Sequence, residues 1–149
     1  MNKEVMFSSK SDEWSTPQDV FDLLDQEFNF NLDPCANADN HKCEKWFSKE
    51  DDGLSMSWGG GYTVFCNPPY SQIARWVEKA FDEGHKDNTT VVLLIPARTD
   101  TRYFHNFIYG RSEIRFIRGR LKFGEAVNSA PFPSMVVIFR GAERKRKND

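Results

Sequence analysis

Four consecutive residues, Asn67-Pro68-Pro69-Tyr70, combine a polar amide, two rigid rings and an aromatic side chain at the end of the apolar run Val64-Phe65-Cys66. Proline lacks a backbone donor and fixes φ, so a strand entering this stretch must end at Asn67. An amino group conjugated to an aromatic ring is a poor nucleophile, because its lone pair is delocalised. An Asn carbonyl oxygen and a backbone carbonyl aimed at such a group would accept its two hydrogens. The nitrogen is drawn toward tetrahedral geometry, its lone pair is freed, and no deprotonated base is needed. The prolines would hold the Pro68 carbonyl at a fixed angle, the preorganisation that electrostatic catalysis requires. Tyr70 would offer a flat face for the ring, as an extruded base is read by stacking as well as by its edge. The alternative is a rigid loop with Tyr70 packed as a lid.

Other constellations carry less. Cys35, His41 and Cys43 cluster in sequence, but their spacing fits no common zinc pattern, and incidental thiols with no metal are expected. Gly59-Gly60-Gly61 lacks the Lys-Ser/Thr of a phosphate loop and reads as a turn.

The elements that must position Asn67 are legible in outline. Thr16-Pro17-Gln18-Asp19 reads as a helix start, with Thr16 as N-cap and Pro17 at the first helical position. Val20, Phe21, Leu24 and Phe28 follow helical spacing and should face a core. Phe28 to Leu32 alternates like a strand and stops at Asp33-Pro34, and Trp46 and Phe47 mark a short second strand. Trp58 to Gly61 is turn material, Tyr62 to Cys66 a strand, and Ser71 to Glu83 an amphipathic helix built on Ile73, Trp76, Val77 and Ala80. Thr89 to Ile95 is a continuous β-branched run, expected as a central parallel strand buried on both faces. Thr101 to Ile108 should be helical, and Ile114 to Phe123 and Met135 to Phe139 should close the chain as an antiparallel pair. Alternating strands and helices predict an α/β layer with a mostly parallel sheet. In such sheets ligands bind beyond the carboxyl ends of strands, where Asp33 and Asn67 both fall.

The chain has 149 residues, enough for one domain, with 39% hydrophobic and 28% charged residues. The longest apolar run, Val91 to Ile95, is far too short to span a bilayer, and no secretory signal is visible. Three cysteines form no even framework, favouring a reducing, cytoplasmic setting. The net charge of −2 hides an asymmetry. Residues 11–40 carry Asp12, Glu13, Asp19, Asp22, Asp25, Glu27, Asp33 and Asp39 with no Lys or Arg. Residues 98–122 carry Arg98, Arg102, Arg111, Arg115, Arg118, Arg120 and Lys122 against Asp100 and Glu113, and the tail adds further basic residues. A basic half suggests a polyanion met by one face; ordinary solvated charge is the rival.

The motifs together resemble the amino-group methyltransferases that use S-adenosylmethionine, whose catalytic element is Asp/Asn/Ser-Pro-Pro-aromatic. More narrowly, the chain is similar to the compact Dam-type DNA N6-adenine methyltransferases of bacteriophages and prophages. The resemblance runs from Asp12-Glu13-Trp14-Ser15-Thr16-Pro17 through Leu32-Asp33-Pro34-Cys35-Ala36, Asn67-Pro68-Pro69-Tyr70-Ser71 and Pro96-Ala97-Arg98-Thr99-Asp100. It continues to Gly119-Arg120-Leu121-Lys122-Phe123 and Ala130-Pro131-Phe132-Pro133-Ser134. It implies that Asn67, Pro68 and Tyr70 are catalytic, with transfer of the donor's methyl to adenine N6. Trp14, Thr16 and Pro17 would contact the methionine part of the donor, and Asp33, Pro34 and Cys35 would form its first binding element. Asp52-Gly53-Leu54 resembles the acidic element that takes the donor's adenine amino group, which brings in Asp52 and Leu54. Arg98 and Asp100 would line the site. Phe123 and Phe132 would supply an aromatic opposite Tyr70, or else be core phenylalanines. Arg118, Arg120 and Lys122, with Arg111 and Arg115, are candidates for the DNA backbone.

The implied fold is a compact Rossmann-like methyltransferase domain over residues 1–149. Its sheet would be mostly parallel with an antiparallel C-terminal strand. Only 34 residues separate Asp33 from Asn67, so the sheet should be trimmed between its first and fourth strands. Residues 141–149 would form a flexible basic tail. The implied partner is double-stranded DNA, methylated sequence-specifically in a bacterial host's cytoplasm, with no membrane. A homodimer would enlarge the small footprint. One departure stands out: Asn37-Ala38-Asp39-Asn40 follows the Asp33 element where related enzymes carry glycines, and Asn tolerates left-handed φ. Two other readings remain open, a methyltransferase of protein glutamine amides and a nucleic-acid-binding protein that keeps the fold without catalysis.

Overall fold

The computed structural model describes residues 15–124 and 129–144. Helix α1 (Gln18–Phe28) comes first and ends at Asn29, which adopts a left-handed conformation with φ 60°. Strand β1 (Thr63–Cys66) leads through Asn67-Pro68-Pro69 into a 3₁₀ turn, Tyr70–Gln72, and helix α2 (Ile73–Gly84). Strand β2 (Thr90–Pro96) follows, then a wide π-type turn, Phe104–Ile108, and strands β3 (Glu113–Phe116) and β4 (Ser134–Arg140).

The sheet order is β1-β2-β4-β3. β1 pairs parallel with β2, whereas β4 pairs antiparallel with both β2 and β3. Strands β1, β2 and β3 therefore run one way, and the C-terminal strand is inserted between β2 and β3 in reverse. The α/β class and the antiparallel C-terminal strand are as expected, but the sheet is mixed rather than mostly parallel in its pairing: among the described strands only β1 and β2 pair in parallel, because β4 separates β2 from β3.

Alternation along the strands builds two cores. Val91, Leu93 and Ile95 of β2 and Met135, Val137 and Phe139 of β4 meet Trp76, Val77 and Ala80 of α2 on one face. Val92, Leu94, Val136 and Ile138 meet Phe21 and Leu24 of α1 on the other. With a helix on each face, β2 is buried on both, as its unbroken apolar run requires.

Three expected elements come out shorter. The strand foreseen from Phe28 to Leu32 reduces to Leu32, bridged in parallel to Val64, because α1 runs through Phe28 and Asn29 turns the chain. Asp33 makes a parallel bridge to Trp46, the remnant of the second expected strand. The strand foreseen from Ile114 to Phe123 stops at Phe116, and Gly119, at φ 74°, turns the chain beyond it. Between Asp33 and β1 the described structure holds that bridge, the 3₁₀ turn Gly53–Ser55 and further turns, with no α-helix. No helix among the described residues is long and apolar enough to cross a membrane.

Candidate active site

The carboxyl ends of the parallel elements gather the expected chemistry at one edge of the sheet. Asp33 follows Leu32, Asn67 follows β1, and Ala97 and Arg98 follow β2. A cleft of about 520 Å³ opens there, within the roughly 300–1,000 Å³ common for small-molecule sites. Its walls include Thr16, Asp33, Pro34, Cys35, Asp52, Leu54 and Asn67, all singled out by sequence.

Thr16 is not the helix cap it was expected to be. Pro17 occupies that position, and no side chain among the described residues caps α1. The buried Thr16 hydroxyl instead accepts a hydrogen bond from Asn67 Nδ2 at 3.0 Å, across 51 residues of chain. Committing the NH₂ end of the amide to Thr16 fixes the direction of the buried Asn67 Oδ1.

Asp33 is 4% exposed, and its two oxygens accept backbone N–H groups of Cys35 at 3.3 Å and Lys42 at 3.1 Å. Burial outweighs these bonds and pushes the carboxyl up to about 6. The Asp33-Pro34 and Asp52-Gly53-Leu54 elements touch directly: a Cβ on Gly53 would lie 2.0 Å from the Pro34 carbonyl oxygen. Only glycine fits that approach. Gly53 is held by its carbonyl, which accepts from Trp58 Nε1 at 2.9 Å.

The loop after Asp33 does without glycine and without left-handed residues. The Asn37 side-chain oxygen accepts from the N–H groups of Asp39 and Asn40 at 2.8 and 2.9 Å, so a side chain makes the tight turn.

Tyr70 is half-buried, and burial, with Tyr103 nearby, pushes its phenol well above the ordinary range. Phe132 lies edge-on to Tyr70 with ring centroids 5.3 Å apart, and Phe123 is 5.9 Å from Phe132. Both phenylalanines are buried in the core face that α1 covers. At 5.3 Å the two rings are in direct contact, with no ring between them.

Arg98 and Asp100 are exposed beyond the end of β2, outside the cleft walls, and no ion pair joins them among the described residues. Pro17 and the buried Pro68 flank the cleft in sequence without forming part of its walls. Trp14 lies outside the described residues, as do the last five residues of the basic tail.

The basic residues do not form one face. Arg118, Arg120 and Lys122 are exposed on the loop after β3, at the same edge as Asn67, and make no ion pairs among the described residues. Arg111 precedes β3, and Arg140 and Arg144 end β4 or follow it, so all three belong to the opposite edge. Arg115 is engaged by Glu27 at 2.6 Å and Glu113 at 2.7 Å, and Arg144 by Asp87 at 2.8 Å.

Among the cleft residues that went unnoticed in the sequence, Trp76 and Lys42 matter most. Trp76 was read as core, and it is buried, but it also walls the cleft. Its Nε1 is buried with no hydrogen-bond partner among the described residues. Lys42 lines the cleft half-buried and carried no motif that could have flagged it. Cys43 and Cys66 stand as free thiols. Burial pushes Cys43 up to about 12 and Cys66 well above its ordinary range, which suits neither to nucleophilic work.

Comparison with known proteins gives a consistent result. The family model described as DNA N-6-adenine-methyltransferase (Dam) matches residues 4–148. The chain is 33% identical over 147 residues to the DNA N-6-adenine-methyltransferase of Haemophilus phage HP1 (strain HP1c1), covering 93% of this chain and 84% of that one. It is 34% identical over 111 residues to the DNA N-6-adenine-methyltransferase of Escherichia phage T1, spanning 74% of this chain but only 46% of that protein. A shorter match, 34% over 65 residues, links it to the putative methyltransferase YfdM of Escherichia coli (strain K12).

Proposed function

The chain belongs to the DNA N-6-adenine-methyltransferase (Dam) family, and from that premise we propose that it transfers a methyl group from S-adenosylmethionine to N6 of adenine in double-stranded DNA, sequence-specifically. The observation that carries this reading is the single cleft walled by Asp33, Pro34, Asp52, Leu54 and Asn67, with Thr16 bonded to Asn67 at its rim. The cleft fits the donor on three counts. Its volume suits a nucleoside-sized ligand, its carboxylates Asp33, Glu50 and Asp52 suit a cation, and a buried indole N–H stands at its wall.

When bound, S-adenosylmethionine supplies an electrophilic methyl group on a sulfonium. Asp33, Pro34 and Cys35 hold one side of it, Asp52 accepts from its adenine amino group, and Leu54 packs beside that ring. Asn67 Oδ1 and the Pro68 carbonyl accept the two hydrogens of the target amino group and free its lone pair. Thr16 keeps the Asn67 amide from rotating. Tyr70 presents its ring to the extruded adenine, with Phe132 and Phe123 buttressing it from behind. Arg118, Arg120 and Lys122 hold the DNA backbone at the edge where the cleft opens, with Arg98 and Asp100 beside them.

The domain would be one compact Rossmann-like methyltransferase unit over residues 1–149, trimmed between Asp33 and β1. Tritiated methyl transfer to unmethylated duplex DNA, with calorimetry of donor binding, tests the reading. Wild-type protein is expected to label DNA at adenine N6. Asn67→Ala is expected to lose at least about 100-fold in rate while donor affinity persists. Label appearing only in protein, or equal activity in Asn67→Ala, would refute it.

A further inference from the structure

In the loop that follows Asp33, seven backbone N–H groups between Cys35 and Lys42, all but that of Ala38, are already committed to acceptors within the protein. The N–H groups of Cys35 and Lys42 go to Asp33, that of Ala36 to the Phe47 carbonyl, and that of Asn37 to Asn40 Oδ1 at 2.7 Å. Those of Asp39 and Asn40 go to the Asn37 side chain, and that of His41 to the Asn37 carbonyl at 3.1 Å. A turn built by an asparagine side chain has spent the donors that a glycine turn would leave pointing at a ligand.

Among the described residues two cations line the cleft, Lys42 and Lys49, and of these Lys42 is half-buried while Lys49 is exposed. Lys42 is anchored at both ends. Its N–H donates to Asp33, and its ammonium donates to Gln18 Oε1 at 2.7 Å. Gln18 is itself oriented, since its Nε2 donates to Asp22 at 2.8 Å, which turns its oxygen toward Lys42. The ammonium makes no ion pair among the described residues. It is a cation held in place by a neutral acceptor, with N–H donors to spare, at the start of α1 and in the same cleft wall as Thr16.

We propose that Lys42 receives the α-carboxylate of the methyl donor's amino-acid end, taking over the task that the loop backbone has given up. This rests on the donor reading above and extends it. A carboxylate at Lys42 lies beside the buried Asp33, so a group bearing both a carboxylate and a cation finds an opposite charge for each. Lys42 is then a binding residue with no part in methyl transfer itself.

Calorimetric titration of S-adenosylmethionine and of decarboxylated S-adenosylmethionine isolates the contact, because the two ligands differ by the carboxylate alone. The wild-type chain is expected to prefer the carboxylated ligand by about tenfold or more. Lys42→Met and Lys42→Gln are both expected to bind the two ligands within about threefold of each other, and Lys42→Arg to keep part of the preference. The decarboxylated ligand should bind wild type and Lys42→Met alike. A preference in Lys42→Met and Lys42→Gln as large as in wild type overturns the assignment while leaving the donor reading intact. Failure of the wild-type chain to bind either compound overturns the donor reading, and the Lys42 assignment with it.

Discussion

The bond between Thr16 and Asn67 offers the sharpest test of how the site works. Thr16→Val preserves the β-branched shape and removes the hydroxyl that accepts from Asn67 Nδ2 at 3.0 Å. Thr16 is 6% exposed, so water cannot simply replace it. Losing the bond and stranding the amide N–H costs about 1–3 kcal/mol. A buried methyl in place of the hydroxyl returns about 0.8 kcal/mol, which leaves a net destabilisation of about 1 kcal/mol. In a chain of this size that lowers the melting temperature by about 2–4 °C. The catalytic effect should be larger in kind. Without Thr16 the amide is no longer held and can present its NH₂ where its oxygen belongs. If 1–3 kcal/mol of orientation is lost from the transition state, the rate falls about 5- to 150-fold. Thr16→Ser keeps the acceptor and should stay within about threefold of wild type. Single-turnover methyl transfer on duplex DNA, with donor affinity measured separately, reads the difference. Thr16→Val at the wild-type rate, or Thr16→Ser falling as far as Thr16→Val, would refute the reasoning.

Two further outcomes follow from the geometry. Burial raises the Asp33 carboxyl to about 6, above the roughly 3.9 of an unfolded Asp, so its contribution to stability is full below the unfolded value and is lost as pH rises through about 6. Thermal melts should show the wild-type minus Asp33→Asn difference shrinking from pH 4 to pH 7, a comparison that sets aside Glu27, Asp51, Glu83 and Glu113, which are shifted the opposite way. A difference independent of pH would contradict the burial argument. For DNA, Arg118→Ala and Arg120→Ala should each weaken duplex binding and reduce the salt slope by about 1, whereas Arg111→Ala at the opposite edge should change neither. Equal effects from both edges would show that the sheet does not sort the basic residues.

Much of the site was legible because its signals are local. A strand that meets two prolines must end there, whatever surrounds it, and a residue just past a parallel strand's carboxyl end sits at the sheet edge. Asn67, Asp33 and Asp52 were found on those grounds and by resemblance, and they line one cleft. Lys42 and Trp76 were missed because nothing in their own neighbourhoods distinguishes a cleft wall from a solvated face or a core.

By itself the sequence determined the two-faced strand β2, its flanking helices, the antiparallel closure and the proline-ended strand, since periodicity and proline stereochemistry act within a few residues. Tertiary structure alone decided what depends on distant partners. Thr16 has the residue type of a cap, yet its hydroxyl serves Asn67, whose amide no intervening residue could have revealed. The basic residues run on together in sequence, yet β3 carries Arg111 to one edge and Arg118 to the other, because a strand's two ends lie on opposite sides of its sheet. Phe132 looked free to face a base, yet it packs onto Tyr70 because the core beneath α1 draws it inward.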